Sequence, residues 1–241
     1  MTFDLFLSST DAARVCRVLE KFAVRNLRGF ALTGSLALET QWIALGHVPH
    51  RRALNDLDLV VELSASIPDT LAQDFLVRHI HPKAPQGKML IQLVDPEEAL
   101  RIDIFRAYGV TMARSQPVCF GTSSIQVTSP EDLAARAASL VMDLERGVPV
   151  ARKHAEDFQI LVEMIGPDKI EPAWQDHRKL TDPGTFTEAR TRISNLVKSH
   201  SDLLVVPDYS HDADAACPKC EEIGPFRLAS PALIMSILGY C

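Results

Sequence analysis

The sequence predicts an α/β (α+β) protein: a small mixed sheet with flanking helices, joined to a helical C-terminal part. Three observations predict it. Asp56-Leu57-Asp58-Leu59-Val60-Val61 and Leu100-Arg101-Ile102-Asp103-Ile104-Phe105 alternate polar and apolar side chains with the period of a strand. A third apolar run over residues 88–94 reaches the second of these through the short polar link 95–99, the signature of a hairpin. Elsewhere apolar residues recur at helical spacing, most clearly over 11–21, 36–45, 131–146 and 151–165.

In chain order, Ser9 or Thr10 caps a helix over 11–21 with Ala12, Val15, Cys16 and Leu19 on one face. Phe30-Ala31-Leu32 reads as a short buried strand, and Thr33-Gly34-Ser35 as the tight turn that ends it. Gly34 can take positive φ or admit a ligand close to the backbone. Good helix formers follow over 36–45, then the polar loop 46–55. After the strand from Asp56, Ser64 to Pro68 breaks the pattern and residues 69–77 read as an amphipathic helix, with His79 and His81 near its end. Their spacing suits a metal, and it equally suits two surface histidines. The 88–94 strand and its antiparallel partner 100–105 set Asp103 beside the Asp56–Asp58 strand. Ile125-Gln126-Val127 is the last short strand.

Thr128-Ser129-Pro130-Glu131-Asp132 then starts a helix over 131–146, with a polar cap, proline in the first turn and acidic residues at the dipole's positive end. Gly147-Val148-Pro149 breaks it, and a partner helix over 151–165 turns Phe158, Leu161, Val162 and Ile165 inward. Residues 186–200 are helical, 201–216 form a polar, acidic link, and 231–239 close the chain as a short apolar helix. The expected division is a catalytic domain over 1–128, a helical domain over 129–200 and a tail over 201–241.

Asp56 and Asp58 share one strand face, roughly 6–7 Å apart along the backbone, and repel each other unless a cation stands between them. Such a pair suits a hard divalent ion with oxygen ligands, Mg²⁺ above all. Asp103 offers a third carboxylate, although an aspartate paired with Arg101 or Arg106 explains it as well. Arg51, Arg52, Lys88 and Arg101 are cations that could offset triphosphate charge, or simply solvated ones. Arg101 is the best placed, being in phase with Asp103. Glu62, in phase with Asp58 but further along, reads as peripheral.

Gly34-Ser35, then Asp56-Leu57-Asp58, then Asp103 within Ile-Asp-Ile resembles the polymerase-β-like nucleotidyltransferase superfamily over roughly residues 30–105. The resemblance implies that Gly34 and Ser35 bind nucleotide phosphates. It also implies that Asp56, Asp58 and Asp103 hold two Mg²⁺ ions, with Asp103 helping to activate an attacking hydroxyl. The loop between Ser35 and Asp56 is longer than that family usually shows, so 42–52 reads as an insertion. The later helices, Ser-Pro-Glu-Asp-Leu and then Lys153 and Asp157, are similar to abortive-infection (AbiE-type) toxin nucleotidyltransferases. Arg136 stands near the position of that group's first helical lysine. Lys153 is either a nucleotide contact, as that likeness implies, or one half of an i,i+4 ion pair with Asp157.

The 241 residues are 46% hydrophobic and 23% charged, ordinary for a soluble globular protein of two domains. With 31 acidic against 25 basic residues, a chain-wide nucleic-acid surface is excluded, though not a local basic groove. No apolar run approaches the roughly 20 residues of a membrane span, and the N-terminus lacks the basic start of a signal peptide. The five cysteines read as reduced thiols of a cytoplasmic protein. Among them Cys217-Pro218-Lys219-Cys220 is half of a tetrahedral Zn²⁺ site, completed by His200, His211 or Cys241, or else a loop with two free thiols.

The expected activity is Mg²⁺-dependent transfer of a nucleoside monophosphate from an NTP such as ATP to an acceptor hydroxyl, releasing pyrophosphate. The acceptor is an RNA such as tRNA, a protein, or a small molecule such as an aminoglycoside. A non-catalytic nucleotidyltransferase-like domain that binds a nucleotide or a partner, as in a toxin–antitoxin pair, is the alternative. A zinc-dependent interaction module is a third, supported by the C-terminal cysteines alone.

Overall fold

The computed structural model describes residues 3–25, 27–120, 123–206, 217, 219–220 and 226–240. They divide into two compact units, Met1–Ala107 with Ser115–Val127 and Ser210–Cys241, and Tyr108–Arg114 with Thr128–Tyr209. The segment Tyr108–Arg114 thus groups with the helical unit, and the described tail residues from Cys217 onward group with the sheet.

The first unit is built on a seven-stranded mixed sheet. In chain order its strands are β1 (Ala31–Leu32), β2 (Asp56–Val61), β3 (Leu76–Ile80), β4 (Met89–Asp95), β5 (Leu100–Arg106), β6 (Gln116–Phe120) and β7 (Ser123–Val127). Across the sheet they run β3-β4-β5-β2-β1-β7-β6. β2 pairs parallel with β5 and β1 parallel with β7, and the remaining neighbours are antiparallel. The predicted hairpin is β4–β5, and it delivers β5 to β2 in a register that sets Asp58 opposite Asp103.

Helix α1 (Ser9–Val24) starts where the Ser8 hydroxyl accepts from the Asp11 N–H, and it buries Ala12, Val15, Val18, Leu19 and Phe22. Its outer face is tied to the β4–β5 link, with Arg17 on Glu98 at 2.5 Å and Lys21 on Asp95 at 2.7 Å. Phe22 meets Phe30 edge-on and Phe75 at 5.0 Å between centroids, closing the apolar layer against the sheet. Helix α2 (Gly34–Ala44) follows β1 directly and is buried over Leu36–Gln41.

Two expectations are corrected here. Residues 69–77 do not form a helix: Asp69–Gln73 is a 3₁₀ turn, and β3 follows it. A bulge between Val77 and His79 shifts the register against β4, so Val77 and Ile80 are both buried three positions apart, a spacing that imitates a helix. β6 was not foreseen, because this edge strand carries Pro117 and leaves Gln116, Pro117 and Cys119 exposed.

The second unit holds α3 (Thr111–Arg114), α4 (Pro130–Val141), β8 (Val150–Ala151), α5 (Arg152–Ile165), α6 (Pro167–His177), α7 (Phe186–Ser199) and β9 (Leu204–Val205), with β8 and β9 paired in parallel. The α4 cap is as expected: the Ser129 hydroxyl accepts from Asp132 N and Pro130 opens the helix. α4 ends at Val141, short of the expected 146, and a 3₁₀ turn takes over to Arg146. α6 had no clear sequence signal because Pro172 interrupts it, yet Ile170, Ala173, Trp174 and His177 are buried.

A buried ionic knot centres this unit. Arg114 clamps Asp132 and Asp176, each at 2.7 Å, while Thr111 and His177 bond the same Asp132 carboxylate at 2.8 and 3.0 Å. Burial pushes Asp132 up, but its bonds to Arg114, His177 and Ser129 more than offset that and hold it well below the usual carboxylate range. The last helix, α8 (Pro231–Leu238), belongs to the first unit and packs on β3.

Candidate metal centre

The antiparallel register of β1 on β2 pairs Leu32 with Leu59, so the turn after β1 falls beside Asp58. Thr33 N–H donates to the Asp58 carbonyl at 2.9 Å, and Gly34 then takes φ +65° and opens α2. A Cβ on Gly34 would overlap the Asp58 Oδ2 and stand 2.9 Å from its Cγ. Glycine is therefore required on two counts, its backbone conformation and the approach of that carboxylate. Gly34 and Ser35 supply the first N–H groups of α2, which have no acceptor within the helix and form its positive end.

Asp56, Asp58 and Asp103 each offer one carboxylate oxygen such that all three oxygens lie within 4.8 Å of one another. Parallel pairing of β2 and β5 causes this: Asp56 faces Arg101 and Asp58 faces Asp103 in register, and all four share one face of the sheet. Asp103 is 8% exposed and lies on an inner strand of the sheet rather than at its edge. Burial pushes its carboxyl above the ordinary carboxylate range. Arg101 and the Gln92 amide oppose the shift, while the Asp56 charge adds to it.

Arg101 reaches both flanking carboxylates, with Nη2 2.5 Å from Asp56 and Nε 3.4 Å from Asp103. The reading of Asp103 as a partner of Arg101 and the reading of the trio as a cation site thus describe the same side chains. Of the other basic residues considered, Arg52 pairs at 2.7 Å with the fully buried Glu39 of α2, and Arg51 and Lys88 are exposed, as is Glu62. Glu39 also accepts from the His50 N–H at 2.8 Å, and Trp42 Nε1 donates to the Val48 carbonyl at 2.6 Å. These bonds fold the long 46–55 loop back onto α2. Lys153 lies in the first turn of α5, in the second unit.

Gln92 is a site residue that sequence reasoning missed. Its Nε2 donates to Asp103 Oδ1 at 2.6 Å, and its own Oε1 is buried with no hydrogen-bond partner among the described residues. The signal was present: Gln92 is the single polar residue within Met89-Leu90-Ile91-Gln92-Leu93-Val94, and β4–β5 pairing puts it opposite Asp103. A buried amide in an apolar strand has a partner to serve.

Cys217 and Cys220 form a second cluster with His79 and His81. Of the residues expected to complete the cysteine pair, His200 follows α7 and lies against the Ser199 hydroxyl, and His211 and Cys241 lie outside the described residues; among the described residues it is His79 and His81 that stand beside the pair.

No protein-family model matches the chain. No curated protein matches it either. Among solved structures, the chain is similar to an antigenic nucleotidyltransferase-like protein from Paracoccidioides brasiliensis, at 21% identity and a TM-score of 0.42 over 82% of this chain and 92% of that one. It is also similar to JHP933 from Helicobacter pylori, at 14% identity and a TM-score of 0.31 over 82% of this chain and 94% of that one. No helix among the described residues is long and apolar enough to cross a membrane.

Proposed function

We propose that the protein is a Mg²⁺-dependent nucleotidyltransferase that moves a nucleoside monophosphate from an NTP to an acceptor hydroxyl, with pyrophosphate as the second product. The observation that carries this reading is the convergence of three carboxylates from β2 and β5 within 4.8 Å, beside the positive end of α2. The donor set fits a hard divalent cation, since it is all oxygen and one member is buried at a raised pKa that a cation would lower. Asp56, Asp58 and Asp103 would hold the metal, which when bound stabilises the charge that builds on the phosphoryl group in an in-line displacement.

The chain's own groups have separate tasks in this scheme. Gly34 and Ser35 donate backbone N–H groups to the terminal phosphates at the start of α2. Gln92 fixes the Asp103 carboxylate through its 2.6 Å bond, leaving the other oxygen to face the site. Asp103 would take the proton of the acceptor hydroxyl, the role that the likeness to nucleotidyltransferases implies for it. Arg101 neutralises part of the carboxylate charge and would turn to the triphosphate on binding. The acceptor class is an RNA such as tRNA, a protein or a small molecule. On Lys153 and Asp157 of α5, we infer that the chain is nearest the abortive-infection group of these enzymes, with an antitoxin as its proposed partner.

Transfer of label from α-labelled NTP, with Mg²⁺ and candidate acceptors, tests the scheme. Asp56→Asn and Asp103→Asn are expected to abolish it with the fold intact, and wild-type rates in both variants would exclude it.

One observation favours a second, non-catalytic reading. The Arg101 guanidinium already spans Asp56 and Asp103, which supports a domain that binds a nucleotide or a protein partner without turning it over. Calorimetry with the four NTPs beside the turnover assay separates the two, since binding without product supports the second.

A further inference from the structure

We propose that His79, His81, Cys217 and Cys220 bind one structural Zn²⁺ ion that fastens the C-terminal segment to the edge of the sheet. One ligand atom from each of the four lies within 4.8 Å of all the others, and all four side chains are half-buried. The contact between His79 Nδ1 and Cys220 Sγ is 3.2 Å, and that between Cys217 Sγ and His81 Nε2 is 3.7 Å. Tetrahedral zinc with sulfur at about 2.3 Å and nitrogen at about 2.0–2.1 Å separates its ligands by roughly 3.3–3.8 Å. The two histidine–cysteine contacts are thus close to the spacing of a zinc shell.

Two further features fit a metal better than a set of loose contacts. His81 Nδ1 lies 3.2 Å from the Lys219 carbonyl, which can only accept, so the proton is on Nδ1 and the lone pair of Nε2 faces the cysteines. A ligating histidine is usually oriented in this way by a bond from its other nitrogen. The Cys220 N–H donates to the Cys217 carbonyl at 3.2 Å, which holds the two cysteines close together. The two imidazole rings, one on β3 and the other just past its end, are near-parallel, 16° apart with centroids 6.0 Å from each other.

Two thiolates and two imidazoles in tetrahedral spacing select zinc over harder ions. Four protein ligands close the coordination sphere, so the role is structural rather than catalytic. What it would fasten is also visible. Beyond the cysteines, Leu228 bridges Val77 in parallel and Ala229 N–H donates to the Val77 carbonyl at 2.7 Å, while α8 packs on β3. β3 is the outermost strand on this side, whose bare edge would otherwise invite pairing with another chain. The ion would staple the covering segment to His79, two residues along β3 from the Val77 bridge, through Cys220, eight residues before Leu228. The site involves none of Asp56, Asp58 or Asp103, so its fate is separate from that of the nucleotidyltransferase reading.

Untagged, full-length protein prepared without chelator is analysed for zinc, then exchanged with Co²⁺ and followed by absorption. One zinc per chain is expected, with thiolate-to-cobalt charge transfer and tetrahedral d–d bands that disappear in Cys220→Ser and in the His79→Ala/His81→Ala double variant. Chelation should also speed amide exchange at Ala229 by ~10-fold or more, as local opening becomes easier. Absence of zinc together with absence of a thiolate–cobalt band in the wild type would overturn the proposal. Full zinc retention by the double histidine variant, or unchanged exchange at Ala229 after zinc is stripped, would do the same. Should the variants fail to fold, the wild-type cobalt spectrum still decides.

Discussion

Arg101 and Asp56, which face each other in register on neighbouring parallel strands, meet at 2.5 Å, and the same guanidinium reaches Asp103. One cation thus serves two carboxylates that would otherwise repel. Replacing Arg101 by glutamine should cost about 3–5 kcal/mol in chelator, because it strips the countercharge from the half-buried Asp56 and the buried Asp103. Added Mg²⁺ should recover much of that loss, and divalent affinity should rise by roughly 10-fold as a competing charge is removed. Urea unfolding with and without Mg²⁺ measures both. Equal destabilisation in the two conditions would mean that no ion takes the arginine's place.

Gly34→Ala adds a methyl group where the Asp58 carboxylate stands, at a φ of +65° that alanine resists. A stability loss of about 1–3 kcal/mol is expected, accompanied by weaker cation binding as Asp58 is pushed aside. Chemical denaturation and metal titration of the same sample report the two effects separately.

The trio of aspartates was legible because each lies in a strand whose alternation fixes its face, and because a hairpin has to return β5 to the sheet. Gln92 was not read, since its meaning comes only from the residue opposite it on another strand. His79 and His81 were noticed but not joined to the cysteines. The bulge in β3 disguised a strand as a helix, and their partners lie about 140 residues further along. No pattern along the chain encodes that meeting. α6 was hidden by Pro172, whose local cost is outweighed by the burial of Trp174 and Ile170.

Glu39 is wholly buried and joined to Arg52 and the His50 amide, so the 46–55 loop depends on it. Glu39→Ala should lower stability by about 1–3 kcal/mol through the groups left without a partner. It should raise hydrogen exchange at His50 and Arg52 while exchange within β4 stays as in the wild type. Uniform loss of protection across the sheet would show instead that the loop is integral to the core.

Acid should destabilise the helical unit in two stages. Burial, with Lys153 and Arg136 nearby, lowers the His154 pKa from its ordinary 6.5 to about 4. The unfolded chain therefore binds the proton more readily, and stability is full above pH 6.5 and declines as pH falls toward 4. The decline is on the order of 3 kcal/mol. Asp132, held low by its bonds to Arg114 and His177, contributes stability that persists through this range. It is lost only as pH drops below the ordinary carboxylate value of about 4. His154→Gln should shrink the first stage, to which His177, also held below its ordinary value by burial, contributes as well, and leave the second, as seen in unfolding free energy against pH.

The account rests most heavily on Asp56, Asp58 and Asp103 gripping a divalent cation. Titration of free Mn²⁺ by electron paramagnetic resonance, with wild type beside Asp56→Asn and Asp103→Asn, addresses that point alone. Tight binding to the wild type that weakens by at least ~10-fold in each variant is the expected result. Equal Mn²⁺ binding in all three proteins would contradict it.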